Sequence, residues 1–122
     1  MRVGYVVLYV KDSEACKKFW TEKVGMQVKE TTKVELNTVY RVGFSDQNFS
    51  FELVPLDLMK ENPHGLDLAT PSICFYVDDI PALHKQLTDS GVTTTEITLH
   101  ADKANFAFCD NEDRWFAVLE DK

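Results

Sequence analysis

The chain has 122 residues, 44% of them hydrophobic and 27% charged, which suits one ordinary globular core. Eight Phe, four Tyr and two Trp argue against disorder, and a net charge of −7 argues against nucleic-acid phosphate or anionic lipid as partner. The longest apolar run, Val3 to Val10, is far too short to span a membrane, and no secretory signal is expected at the N-terminus.

The run from Val6 to Val10 is β-branched and aromatic, as a buried strand requires. Asp12 follows it, an N-cap residue whose carboxylate accepts orphan amide hydrogens, and a helix is expected from Ser13 to Val24. Ala15, Cys16, Phe19, Trp20 and Val24 give that helix one apolar stripe, and Gly25 closes it. Three strands are expected next, Met26 to Glu30, Thr38 to Phe44 and Phe49 to Leu53, with the polar turn Ser45 to Asn48 before the last. The stretch from Asp57 to Thr70, bracketed by Pro55 and Pro71, reads as a linker.

The second half repeats the first. Ile73 to Asp79 matches Val6 to Asp12 in kind, with Tyr-Val-x-Asp in both. Asp79 would cap a helix over Ile80 to Ser90, Pro81 being tolerated in its first turn and Gly91 ending it. Val92 to Ile97, Ala104 to Cys109 and Trp115 to Leu119 are the expected strands, with Asp110 to Asp113 as a four-residue turn. The fold class is therefore α+β, two βαβββ modules over residues 1–56 and 71–122 joined by a linker over 57–70. Neither half can bury both faces of its sheet alone. Cys16, Cys74 and Cys109 are odd in number and widely spaced, so a reducing cytoplasm is the expected compartment.

Tyr5 to Asp12, Phe19-Trp20, Val24 to Met26, Phe51 to Val54, Ile73 to Asp79 and Asp110 to Arg114 together resemble the vicinal-oxygen-chelate superfamily of glyoxalases, extradiol dioxygenases and bleomycin-resistance proteins. The resemblance covers nearly the whole chain and implies curved mixed sheets around a cup-shaped cavity, with modules paired within or between chains and a homodimer favoured. It also implies four cup positions that hold metal ligands in the metal-dependent branches. These fall on Tyr5, Glu52, Ser72 and Ala117, of which Glu52 alone is an ordinary hard-metal ligand. No cofactor, no metal and no catalytic residue is therefore expected. His64 falls in the linker, His84 on the second helix and His100 in a polar loop, none at a ligand position.

Strand alternation sends Val6, Leu8 and Val10 under the first helix and leaves Tyr5, Val7 and Tyr9 toward the cup. The same rule sends Ser72, Cys74 and Tyr76, and Trp115, Ala117 and Leu119, inward. With four-residue hairpin turns, Arg41 faces Glu52, Phe106 faces Ala117 and Phe108 faces Trp115. The candidate ligand-binding set is thus Tyr5, Val7, Tyr9, Arg41, Glu52, Ser72, Cys74, Tyr76, Phe106, Phe108, Trp115 and Ala117. Such a set suits a flat or cationic small organic molecule held by stacking and cation–π attraction. The competing readings are a divalent-metal enzyme of the glyoxalase or dioxygenase type, and a non-catalytic dimeric interaction protein with a vestigial cup.

Overall fold

A computed structural model describes residues 1–121 and divides the chain into two compact units, Met1–Thr70 and Pro71 onward. The first carries β1 (Val6–Val10), α1 (Ser13–Lys18), β2 (Gln27–Val34), β3 (Asn37–Gly43) and β4 (Phe51–Pro55). The second carries β5 (Cys74–Val77), α2 (Ile80–Asp89), β6 (Thr98–His100), β7 (Lys103–Cys109) and β8 (Trp115–Glu120). Each is a βαβββ module, as the repeated sequence pattern predicts.

In the first module the strands lie in the order β1-β4-β3-β2, with β1 parallel to β4 and the other pairs antiparallel. Asp12 caps α1 by accepting from the Ala15 amide at 3.0 Å, and buried Ser13 ties the helix start to β3 through the Thr38 carbonyl at 2.7 Å. The helical path then widens into a π-helical turn over Phe19–Lys23, ended by Gly25 in the left-handed region at φ 92°. The expected helix to Val24 is therefore present in extent, but its last turn is not α. The helix packs on β3 and β4 and buries Cys16, Phe19 and Trp20 against Leu8, Val10, Val42, Phe51 and Leu53. At the end of β3 the chain needs Gly43, where a Cβ would lie 2.4 Å from the Phe49 carbonyl oxygen.

The second module repeats the order as β5-β8-β7-β6. Asp79 caps α2 by accepting from the Ala82 amide at 3.0 Å, and Gly91 ends it at φ 83°. α2 buries its own Ile80 and Leu87 over Phe106, Phe108, Phe116 and Val118, with the Phe108 and Phe116 rings stacked at 5.7 Å. His84 fastens the helix to the sheet: its Nε2 lies 2.9 Å from the Thr95 carbonyl and its ring meets Phe106 edge-on at 5.0 Å.

Two strand expectations are corrected. The second strand of the second module is not Val92 to Ile97; that stretch makes one isolated bridge, Thr94 to Phe108, and the ladder forms later, at β6. Both halves of the segment are rich in Thr and apolar residues, so alternation alone does not choose between them. The β7–β8 hairpin is also one residue tighter than expected. Asp110 and Arg114 are joined at its base by a 2.8 Å backbone bond, leaving three residues at the tip, with Asp113 in the left-handed region at φ 66°.

Candidate functional site

In the first module the sheet face away from α1 is open. Alternation along β1 places Val7 there, in line with Tyr5 and Tyr9, while Leu8 and Val10 are buried beneath the helix. The β3–β4 register sets Arg41 directly opposite Glu52, as the sequence predicts, and the parallel β1–β4 register sets Val7 on the other side of Glu52. The Arg41 guanidinium donates from Nη2 to Glu52 Oε2 at 3.2 Å, and the Tyr5 ring lies over its Cζ at 4.3 Å.

A third member of this group escaped the sequence reading. Glu30 pairs with Arg41 across β2 and β3 because the register slips by one residue between Val28 and Glu30. The slip carries Glu30 Oε2 to 2.9 Å from Arg41 Nη1. Unbroken alternation would have set Lys29, a like charge, beside Arg41, and that mismatch is the one signal that favoured a bulge.

The second module's open face holds Cys74 and Tyr76 from β5 and Trp115 and Ala117 from β8, as expected; Ser72 is exposed just before β5. Phe106 and Phe108 are not there. The tighter hairpin pairs Phe106 with Val118 and Phe108 with Phe116, and both rings are buried under α2. A one-residue change of register exchanges the two faces of a strand, so Asn105 and Ala107 stand on the open face instead. A depression of about 290 Å³ on this face is lined by Cys74, Ala117, Leu119, Asn105 and the β6 residues Thr98, Leu99 and His100. His100, expected in a loop, ends β6.

The donor chemistry does not suit a divalent metal in either module. In the first, Glu52 already spends one oxygen on Arg41, and Tyr5 lies against that same guanidinium. In the second, Ala117 offers a methyl group and Ser72 only a neutral hydroxyl. Among the described residues no three His, Cys, Asp or Glu side chains are grouped to hold an ion, whereas catalytic zinc takes three protein donors.

Ionisation is perturbed mainly away from the open faces. On the helix side of the first module, Glu14 is held below the usual carboxylate range by hydrogen bonds from Lys17 and from the Tyr40 hydroxyl, and the same contact pushes the Tyr40 phenol up. The buried Cys109 thiol is pushed up by burial first and by Asp113 and Asp110 next, so it stays neutral where an ordinary cysteine begins to ionise. Cys16 is buried as well, and Cys74 is exposed. At pH 8 a thiol reagent is therefore expected to modify one cysteine per chain in a fast phase, and Cys74→Ser is expected to abolish that phase.

Three comparisons place these features beside known proteins. The family model described as "Glyoxalase/Bleomycin resistance protein/Dioxygenase superfamily" matches residues 2–118. Among solved structures the chain is similar to TnmS3, an antibiotic binding protein from Streptomyces sp. CB03234, at TM-score 0.82 and 18% identity over 100% of this chain and 97% of that one. It is similar to UcmS2 at TM-score 0.79 and 22% identity, over 98% and 97% of the two chains. It is similar to a glyoxalase/bleomycin resistance protein/dioxygenase superfamily member from Sphaerobacter thermophilus DSM 20745 at TM-score 0.82 and 20% identity, over 99% and 98%. At these identities the likeness is one of fold. No curated protein sequence matches the chain.

Proposed function

Since the chain belongs to the Glyoxalase/Bleomycin resistance protein/Dioxygenase superfamily, we propose that it is a binding protein for a small, flat organic molecule, which it holds rather than converts. The observation that carries this reading is the exchange of metal donors for packing and ion-pairing groups at the family's ligand positions. Glu52 is engaged by Arg41, and Ala117 is a bare methyl at the floor of a depression. Aromatic surface supports it too: Tyr5, Tyr76 and Trp115 are all exposed on open sheet faces, where a planar ligand gains by stacking. The likeness to an antibiotic binding protein points the same way. The reading extends to a homodimer working in the cytoplasm, where three free cysteines stay reduced. No helix among the described residues is long and apolar enough to cross a membrane.

The two tryptophans make the reading testable. Trp115 is 49% exposed on the open face of the second module, whereas Trp20 is fully buried under the first module's helix. Titration with a panel of planar aromatic compounds is expected to quench or shift Trp115 emission, and Trp115→Phe is expected to remove the response while leaving the Trp20 signal in place. Silence across the panel would overturn the proposal.

A further inference from the structure

We propose that the depression on the open face of the second module takes a planar aromatic molecule bearing a hydroxyl group, and that His100 recognises that hydroxyl; the inference rests on the small-molecule reading above and adds the site and the chemical class of ligand. The depression exists because small side chains fall in line across three strands. Cys74 on β5 stands opposite Ala117 on β8, and Ala117 stands opposite Ala107 on β7. Larger groups flank that row: Trp115 and Leu119 lie two residues to either side of Ala117, about 13 Å apart along the strand. The space of about 290 Å³ is near the lower end of the range for small-molecule pockets and suits a one- or two-ring compound laid against Ala117.

Recognition there falls to hydrogen bonding, because no Asp, Glu, Lys or Arg among the described residues lines the depression. Its polar side chains are already spent within the chain, His100 excepted. Thr98 Oγ1 donates to Asn105 Oδ1 at 3.1 Å, and Asn105 Nδ2 donates back to the Thr98 carbonyl at 3.2 Å. The Cys74 thiol donates to the Phe75 carbonyl at 3.7 Å. Among the described residues neither ring nitrogen of His100 has a hydrogen-bond partner. A hydroxyl both donates and accepts, so it pairs with an imidazole whether or not the ring is protonated. A ligand hydroxyl thus finds one unspent partner beside an apolar floor formed by Ala117 and Leu119. Lys103, opposite His100 in the β6–β7 register, makes an aromatic carboxylate the rival ligand, and Asp102 beside it in the turn carries the opposing charge.

Coumarin and 6-hydroxycoumarin share one flat bicyclic frame and are both uncharged at pH 7, a phenolic hydroxyl ionising at about pH 10. Because Cys74 is exposed and lines the depression, a bound compound shields its thiol, and the rate of its modification in the full chain reads occupancy. 6-Hydroxycoumarin is expected to protect Cys74 at about fivefold lower concentration than coumarin, the effect of one net hydrogen bond. His100→Phe, a change at an exposed position on the edge strand β6, keeps a flat ring without nitrogens and is expected to reduce that preference below about twofold. His100→Gln restores a donor and an acceptor, and with them most of the preference. Equal protection by the two compounds, a preference that survives His100→Phe, or stronger protection by coumarin-3-carboxylate overturns the hydroxyl assignment and leaves small-molecule binding standing. Quenching of Trp115 without protection of Cys74 overturns the depression as the site. If neither signal responds, the inference fails together with the reading it rests on.

Discussion

Asp110→Ala is expected to destabilise the second module by about 3–5 kcal/mol, the cost of removing one partner from a buried ion pair. The Asp110 side chain is fully buried, and one carboxylate organises the whole β7–β8 turn. Its Oδ1 accepts from the Glu112 and Arg114 amides, both at 2.9 Å, and its Oδ2 accepts from Arg114 Nη1 at 3.0 Å. Arg114 also donates to Glu112 Oε1 at 3.0 Å. Burial works against the Arg114 charge, but the hydrogen bonds and attraction of Asp110 and Glu112 outweigh it and push the guanidinium pKa up. The alanine variant loses the acceptor for two amides and takes the buried carboxylate away from that guanidinium. Asp110→Asn keeps an acceptor for the amides and is expected to recover part of the loss. Urea denaturation followed through Trp115 beside the turn measures both; a loss below about 1 kcal/mol for the alanine variant would mean the pair behaves as a surface one.

The same turn marks where the sequence stopped being legible. The elements were readable because each signal is local: an Asp cap with its amide bond, a glycine at positive φ, an apolar stripe at helical spacing. They occur twice, at Asp12 and Asp79 and at Gly25 and Gly91, and the structure contains both sets. Arg41 opposite Glu52 was readable because the four-residue turn expected over Ser45 to Asn48 sets the same register that the β3–β4 ladder adopts. The faces of β7 depended on whether Asp110 to Asp113 closes as a three- or four-residue loop, and polar composition suits both. What decides it is Asp113 adopting the left-handed region while Asp110 cages the amides beyond it. That single residue moved Phe106 and Phe108 from the candidate site to the core. Glu30 was lost for a related reason, since a bulge breaks the alternation from which faces are read.

Trp20→Ala is expected to cost the first module about 3–5 kcal/mol, as truncating a fully buried indole removes its transfer energy and leaves a cavity. The indole packs edge-on to Phe19 at 5.3 Å and tilted on Phe51 at 5.0 Å, so it joins the helix to the central strand β4. Its backbone carbonyl, which accepts from the Met26 amide at 3.0 Å, survives the substitution, so the π-helical turn keeps that bond and the loss falls on packing. Phe19 is no substitute, because it already lies against Trp20 at the margin of the core. The buried cysteines report which module opens. Cys16 lies in the first module's core and Cys109 at the end of β7 in the second. If the two compact units open separately, labelling in mild urea is expected to reach Cys16 first in Trp20→Ala and Cys109 first in Asp110→Ala. Simultaneous labelling of both in both variants would show instead that the modules unfold as one cooperative unit, each lending the other its stability.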